Sequence, residues 1–260
     1  MSERLKTVLA PLTMFGILLI VWEAIVRAAG IPVYVVPAPS MVLTTLVADA
    51  SLLFGSLLVT LSITCEAFVL AAVGGIALGV VFNLWRPVER SLYPFAVVLQ
   101  VTPIVAIAPL LLIYLPQPLA VLTCAWIVAF FPVLANTMLG LNSVDHNLLA
   151  LFELYKASRW QVLWYLKLPA ALPQMLAGLR IAGGLSLIGA VVAEIAAGSA
   201  GAGSGLAYRI AESGYRLNIP RMFAALLLLS VAGVAIYFLL AALSHLALRR
   251  WHESAMQRER

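Results

Sequence analysis

Six long apolar runs, at about 8–29, 57–82, 92–115, 119–139, 176–198 and 222–246, leave this chain few ways to fold. Each is close to the 20 or so residues that carry a helix across the hydrocarbon core of a bilayer. In lipid the backbone must bond to itself, which leaves helices and closed barrels. No segment alternates apolar and polar residues with period two, so helices are predicted. The rest of the composition agrees: of 260 residues 63% are hydrophobic and 10% charged, too apolar for a soluble domain of this length. The expectation is an all-α polytopic membrane protein of about six transmembrane helices, with residues 1–260 as a single transmembrane domain and neither a soluble domain nor a linker.

Basic residues set the predicted orientation. With both termini inside, the cytoplasmic segments collect Arg4, Lys6, Arg86, Arg90, Lys156, Arg159, Lys167, Arg180, Arg249, Arg250, Arg258 and Arg260, while Arg27, Arg209, Arg216 and Arg221 fall outside. The excess inside predicts an N-in, C-in chain in a bacterial cytoplasmic (inner) membrane. The formal charge of +5 is then a topology signal, and no nucleic-acid partner is expected. The first run follows Arg4 and Lys6 as a secretory signal would, but it is longer than a signal core and is read as a retained anchor.

Catalysis, metals and cofactors find no support. His146, His245 and His252 form no H-E-x-x-H pair, there is no G-x-S-x-G elbow, and Cys65 and Cys124 lie singly within runs as packing residues. Residues 201–205 (GAGSG) are Gly-rich without a preceding strand and read as a loop. The chain also lacks the G-x-x-x-x-G-K-[ST] phosphate loop, so energy from ATP would have to arrive through another polypeptide. No catalytic residue, metal site or cofactor is expected.

The most distinctive polar segment is the cytoplasmic stretch at about 140–175. Val144, Leu148, Leu151, Phe152 and Tyr155 recur at helical spacing and predict a first amphipathic helix running to about Lys156. Ser158 stands three residues before Gln161, a capping box that starts a second helix, and Pro169 is expected to end it. Such a segment is either a mere connector or a docking element; its length, apolar stripe and two tryptophans, Trp160 and Trp164, favour the second.

The lettering extends this reading. ASRWQVLWYLKLPAALPQMLAGLRIA (157–182) resembles the EAA coupling loop of permease subunits of ATP-binding-cassette importers. Trp22-Glu23 with PAPSMVL (37–43), VTPIVAIAPLLLIY (101–114), AVVAEI (190–195), GSGLAY (203–208) and Arg250-Trp251 resemble the nitrate, sulfonate, taurine and bicarbonate branch of that superfamily. Four positions depart from the pattern: Ala150 stands where the family has the Glu of EAA, Leu151 and Phe152 where it has the two alanines, and Lys156 where it has the loop glycine. Lys156 must therefore either take a positive φ or the turn must rearrange.

The resemblance implies the type I importer permease fold, a homodimer of this subunit in membrane lipid, two copies of a separate ATP-binding subunit, and an extracytoplasmic solute-binding protein. It implies that Glu153, Lys156, Ala157, Ser158, Arg159 and Trp160 couple the chain to the ATPase. The solute it implies is a small anion, such as a sulfonate, nitrate or bicarbonate, or a small heterocycle such as a pyrimidine. The rival function is a stand-alone secondary carrier or channel; the large hairpin speaks against it, as does the lack of a visible internal repeat.

Within the runs, Glu23, Glu66 and Glu194 are ionisable groups at membrane depth. Glu23 and Arg27 are spaced for a local ion pair, while Glu66 is left open between a structural pairing and a protonated state. Gly178, Ala182, Ser186, Ala190 and Glu194 form a row four residues apart. Such a row lets a neighbouring helix approach closely; alternatively Ser186, Ala190 and Glu194 line the translocation path. Gly75 and Gly79 make a second close-packing pair.

Overall fold

The computed structural model describes residues 3–198 and 203–249; Arg250, Trp251, His252, Arg258, Arg260 and the first residues of the 201–205 loop lie outside them. The described residues are helical without a strand. The order is α1 (Glu3–Ala28), α2 (Pro39–Ala48), α3 (Ala50–Leu84), α4 (Arg86–Val101), α5 (Ile104–Tyr114), α6 (Gln117–Asn142) and α7 (His146–Leu154). There follow α8 (Arg159–Val162), a π-helical turn (Leu163–Lys167), α9 (Leu168–Ala197), α10 (Leu206–Tyr215) and α11 (Ile219–Leu248). Five helical stretches are long and apolar enough to cross a membrane, and six if the bent pair α4–α5 is one span.

Three sequence expectations are corrected. The run 92–115 is not one helix: α4 and α5 meet at an angle of 103°. Pro103 excludes the helical conformation at the residue before it, so Thr102 (ψ 123°) and Pro103 (ψ 123°) are both extended. Conversely, Pro169 does not end the second hairpin helix. A helical proline has no N–H for the carbonyl four residues back; the chain widens by one residue instead, and Leu168 N–H reaches Leu163 O. The helix thus continues from Arg159 to Ala197. Finally, the stretch between α9 and α11, in which the sequence predicts only the loop 201–205, contains α10, whose Leu206, Ala207 and Ser213 are buried.

The helices fall into two compact units, residues 1–59 with 200–230, and 60–199 with 231–260; α3 and α11 contribute to each. In the first, Val42, Leu53, Leu206, Ala224, Ala225 and Leu228 form the core. Asp49 and Arg221 make a two-pronged ion pair, 2.6 and 3.1 Å, between the α2–α3 junction and α11. The predicted Glu23–Arg27 pair is present at 2.6 Å. Glu23 also accepts from the Ser40 backbone N–H (2.9 Å) and hydroxyl (2.7 Å), supplying the cap that Ala38, the residue before α2, cannot.

In the second unit α6 and α9 pack along much of their length, because small residues face each other. A Cβ at Gly178 would stand 2.7 Å from Asn136 Cβ, and one at Gly189 would stand 2.8 Å from the Ala125 Cα. Gly75 and Gly79 of α3 meet Val133 and Thr137 of α6 equally closely. Contacts this tight supply the dispersion attraction that must hold helices together where lipid removes the hydrophobic drive between them.

Candidate functional site

The hairpin is built from local signals. Asp145 caps α7 by accepting from Asn147 N–H at 2.8 Å. At its other end Ala157 N–H bonds to Phe152 O (3.0 Å) and Lys156 N–H to Glu153 O (2.9 Å), the paired bonds of a Schellman turn. That turn requires one left-handed residue, and Lys156 fills the position with φ 53°. Without a glycine there, the strain is about 1–2 kcal/mol. Replacing Lys156 by Gly relieves it at the cost of a more flexible unfolded chain. Lys156→Gly is therefore expected to stabilise the hairpin by about 0.5–1 kcal/mol, read as slower amide exchange at Ala157.

The capping box then starts α8: Ser158 N–H donates to Gln161 Oε1 at 2.7 Å, and Gln161 N–H to Ser158 Oγ at 3.3 Å. Between the two helices lies a cavity of about 370 Å³ lined by Leu151, Phe152, Tyr155, Ala157, Gln161 and Tyr165. Its surroundings are exposed and strongly apolar: Leu154 and Tyr155 are each 78% accessible, Trp160 55% and Trp164 63%. Glu153, Lys156, Ser158 and Arg159 are exposed around the same turn, with Ala157 half-buried between them. The six predicted coupling residues therefore share one protruding turn beside an apolar hollow.

The base of the hairpin is fixed to the spans. Lys167 Nζ donates to Asn83 Oδ1 at 2.8 Å, and Asn83 Nδ2 donates to Asn142 Oδ1 at 2.9 Å, joining the π turn to the ends of α3 and α6. Leu163 and Ala171 pack with Leu141 beneath this chain of bonds. Sequence reasoning missed Asn83 and Asn142. Their signal is a pair of lone amides directly after the apolar runs, at Phe82-Asn83 and Leu141-Asn142.

The α9 row is buried within the second unit. Ala182 packs with Ala71, Ala129 and Val133, and Ala190 packs with Ala67 and Ala125. Ser186 donates to Gly183 O at 2.9 Å, and Glu194, 5% exposed, accepts from Thr60 Oγ1 at 3.0 Å. The row thus seats α9 against α3 and α6. Glu66, by contrast, is exposed on α3.

Comparison with known proteins decides the family. Residues 71–250 match the model of the binding-protein-dependent transport system inner membrane component. The chain belongs to this family. Relatives of this permease include a "Probable ABC transporter permease protein" of Haemophilus influenzae, 33% identical over 91% of this chain and 96% of its own. The formylaminopyrimidine transport permease of Halalkalibacterium halodurans is 33% identical over 89% of this chain and 92% of its own. The aliphatic sulfonates transport permease of Bacillus subtilis is 27% identical over 84% and 79%.

Among solved structures, a chain of an amino acid ABC transporter, crystallised with histidines, superposes with a TM-score of 0.64. It is 18% identical, over 77% of this permease and 96% of that chain, which establishes a shared fold. The protein is accordingly a multi-pass inner-membrane transport subunit rather than an enzyme, and its family implies an ATP-binding partner and a solute-binding protein.

Proposed function

We propose that this permease forms the translocation path of an ATP-driven importer, as a homodimer above two ATP-binding subunits that grip the 150–170 hairpin. The observation that carries the reading is the unbroken helix Arg159–Ala197. Its first turn is the exposed docking element, and its last turns hold the buried Glu194. A push on the turn is delivered along about 58 Å of continuous helix, by way of the π turn at Leu163–Lys167. The Lys167–Asn83–Asn142 bonds pass the same displacement to α3 and α6. Within this reading Glu194 is the path group with chemical consequence, and Ser186 and Ala190 act as spacers that set how near α6 can come.

Two kinds of observation favour a nitrogen heterocycle as solute over an inorganic or sulfonate anion. The permeases named for formylaminopyrimidine and riboflavin are each 33% identical over 89% and 94% of this chain, against 27% and 28% for those named for aliphatic sulfonates and taurine; those named for nitrate and bicarbonate reach 31% and 32%, but over only 58% and 55% of it. Four of the six runs contain no Lys or Arg, and in the other two Arg27 and Arg180 lie toward one end rather than at the middle, while the exposed acid on α3 is Glu66. The test is uptake into vesicles carrying the permease with its ATP-binding and solute-binding partners. ATP-dependent entry of a labelled aminopyrimidine is expected; entry that ignores ATP would restore the stand-alone carrier.

In this reading both termini lie on the cytoplasmic side and the α4–α5 pair crosses as one bent span. Single cysteines at Ala157 and Ser204 should therefore label from opposite faces, as should those at Arg90 and Gln117. Labelling of Ala157 and Ser204 from the same face would overturn the topology. Labelling of Arg90 and Gln117 from one face would make α4–α5 a re-entrant loop and move the N-terminus outside.

A further inference from the structure

The sharp bend that splits the third span opens a cleft of about 340 Å³, walled by the α4–α5 junction, by Phe131 and Pro132 of α6 and by Leu185 of α9. Cavities of roughly 300–1,000 Å³ hold small ligands. Gln100 lines the cleft, is exposed, and its side-chain amide has no hydrogen-bond partner among the described residues. It sits in VVLQVTPIV, surrounded in sequence by apolar residues. An amide left unpaired in hydrocarbon costs about 4–8 kcal/mol, so this position is tolerable only where water or a polar molecule reaches it.

The chemistry of the lining is selective. Gln100 offers two N–H donors and a carbonyl acceptor. Thr102 donates its hydroxyl to Val98 O at 2.7 Å, which leaves the oxygen's lone pairs to accept. The Phe131 ring, half-buried and 6.4 Å from that of Tyr93, provides a flat apolar wall. No acidic or basic residue lines the cleft. We infer that the cleft at the α4–α5 break is a contact site for the moving solute, with Gln100 as its hydrogen-bonding group and an uncharged planar heterocycle as the class it takes. This rests on the importer reading above and gives that path a second, specificity-determining surface apart from the α9 row. A ring with adjacent donor and acceptor edges pairs with the amide as two amides pair with each other, whereas taurine or nitrate would lose its hydration with no charge to compensate.

The assembled importer, with Cys65 and Cys124 replaced by Ser and Ala, provides the test. A thiol reacts with a membrane-impermeant methanethiosulfonate reagent as thiolate, a species that forms in water. Gln100→Cys is therefore expected to label at least about tenfold faster than Ile113→Cys, on the apolar α5. With Gln100 intact and a single cysteine at Val101, which also lines the cleft, millimolar aminopyrimidine should slow labelling, and taurine should not. Labelling of Gln100→Cys as slow as that of Ile113→Cys would place the residue against lipid or a protein seam and overturn the site. Protection by taurine but not by the pyrimidine would overturn the solute class, and protection by neither would overturn the solute contact. ATP-dependent uptake by the same importer with Gln100 intact and only Cys65 and Cys124 replaced reports the importer reading separately, so failure of one is not mistaken for failure of the other.

Discussion

Ala157→Trp is expected to leave the permease inserted and folded while releasing its ATP-binding partner. Ala157 is half-buried in the one turn that projects from the hairpin and borders the 370 Å³ hollow between α7 and the π turn. An indole there either fills the hollow or stands out from the turn; both outcomes remove the recess that a partner's surface would enter. The fold itself has little to lose, because the turn is held by backbone bonds and by the Ser158–Gln161 capping box. Arg159→Glu should act in the same direction by a different route. Loss of a charge-assisted hydrogen bond at a partner's surface costs about 1.5–3 kcal/mol, roughly 10- to 150-fold in affinity. The measurement is recovery of the ATP-binding subunit with the purified permease, alongside solute-stimulated ATP hydrolysis. Normal recovery and normal uptake in both variants would remove the hairpin from the coupling machinery and with it the main support for an ATP-driven mechanism.

Why the hairpin was legible in the sequence, and its base was not, follows from the range of the forces involved. Ser158 and Gln161 are three residues apart, so the cap needs no tertiary partner and can be read directly. Lys156 is singled out by the resemblance, which puts the loop glycine there and leaves either a positive φ or a rearranged turn; the φ of 53° decides for the first. The prolines were harder. Pro103 breaks its helix because nothing absorbs it, whereas Pro169 is absorbed by a π turn whose existence depends on Leu163 and Leu166 being buried against the spans. Identical local chemistry gives opposite outcomes, and packing decides between them. The Asn83–Asn142–Lys167 bonds unite residues 59 and 84 positions apart along the chain. No periodicity announces such a contact. The apolar runs themselves were plain, since lipid imposes the helical solution on any stretch of that length.

The α9 row leads to the second large effect. Ser186 is fully buried, and its neighbours Gly178 and Gly189 leave no room for even a Cβ against α6. Ser186→Leu adds two heavy atoms and a branch to this contact. The cost expected from overpacking is about 1–3 kcal/mol or more, enough to unseat α9 and abolish recovery of the assembled complex. Glu194→Gln has almost the same shape, and its amide oxygen can still accept the Thr60 hydroxyl. Assembly should therefore be normal in Glu194→Gln. If the carboxylate faces the solute path, transport should fall about tenfold, the equivalent of the roughly 1.4 kcal/mol that separates a charged from a neutral hydrogen-bonding group. The two variants thus separate the roles that one row of residues combines. Complex loss in Ser186→Leu with unchanged transport in Glu194→Gln would reduce the row to packing, and the path would then have to run along the Gln100 cleft without it.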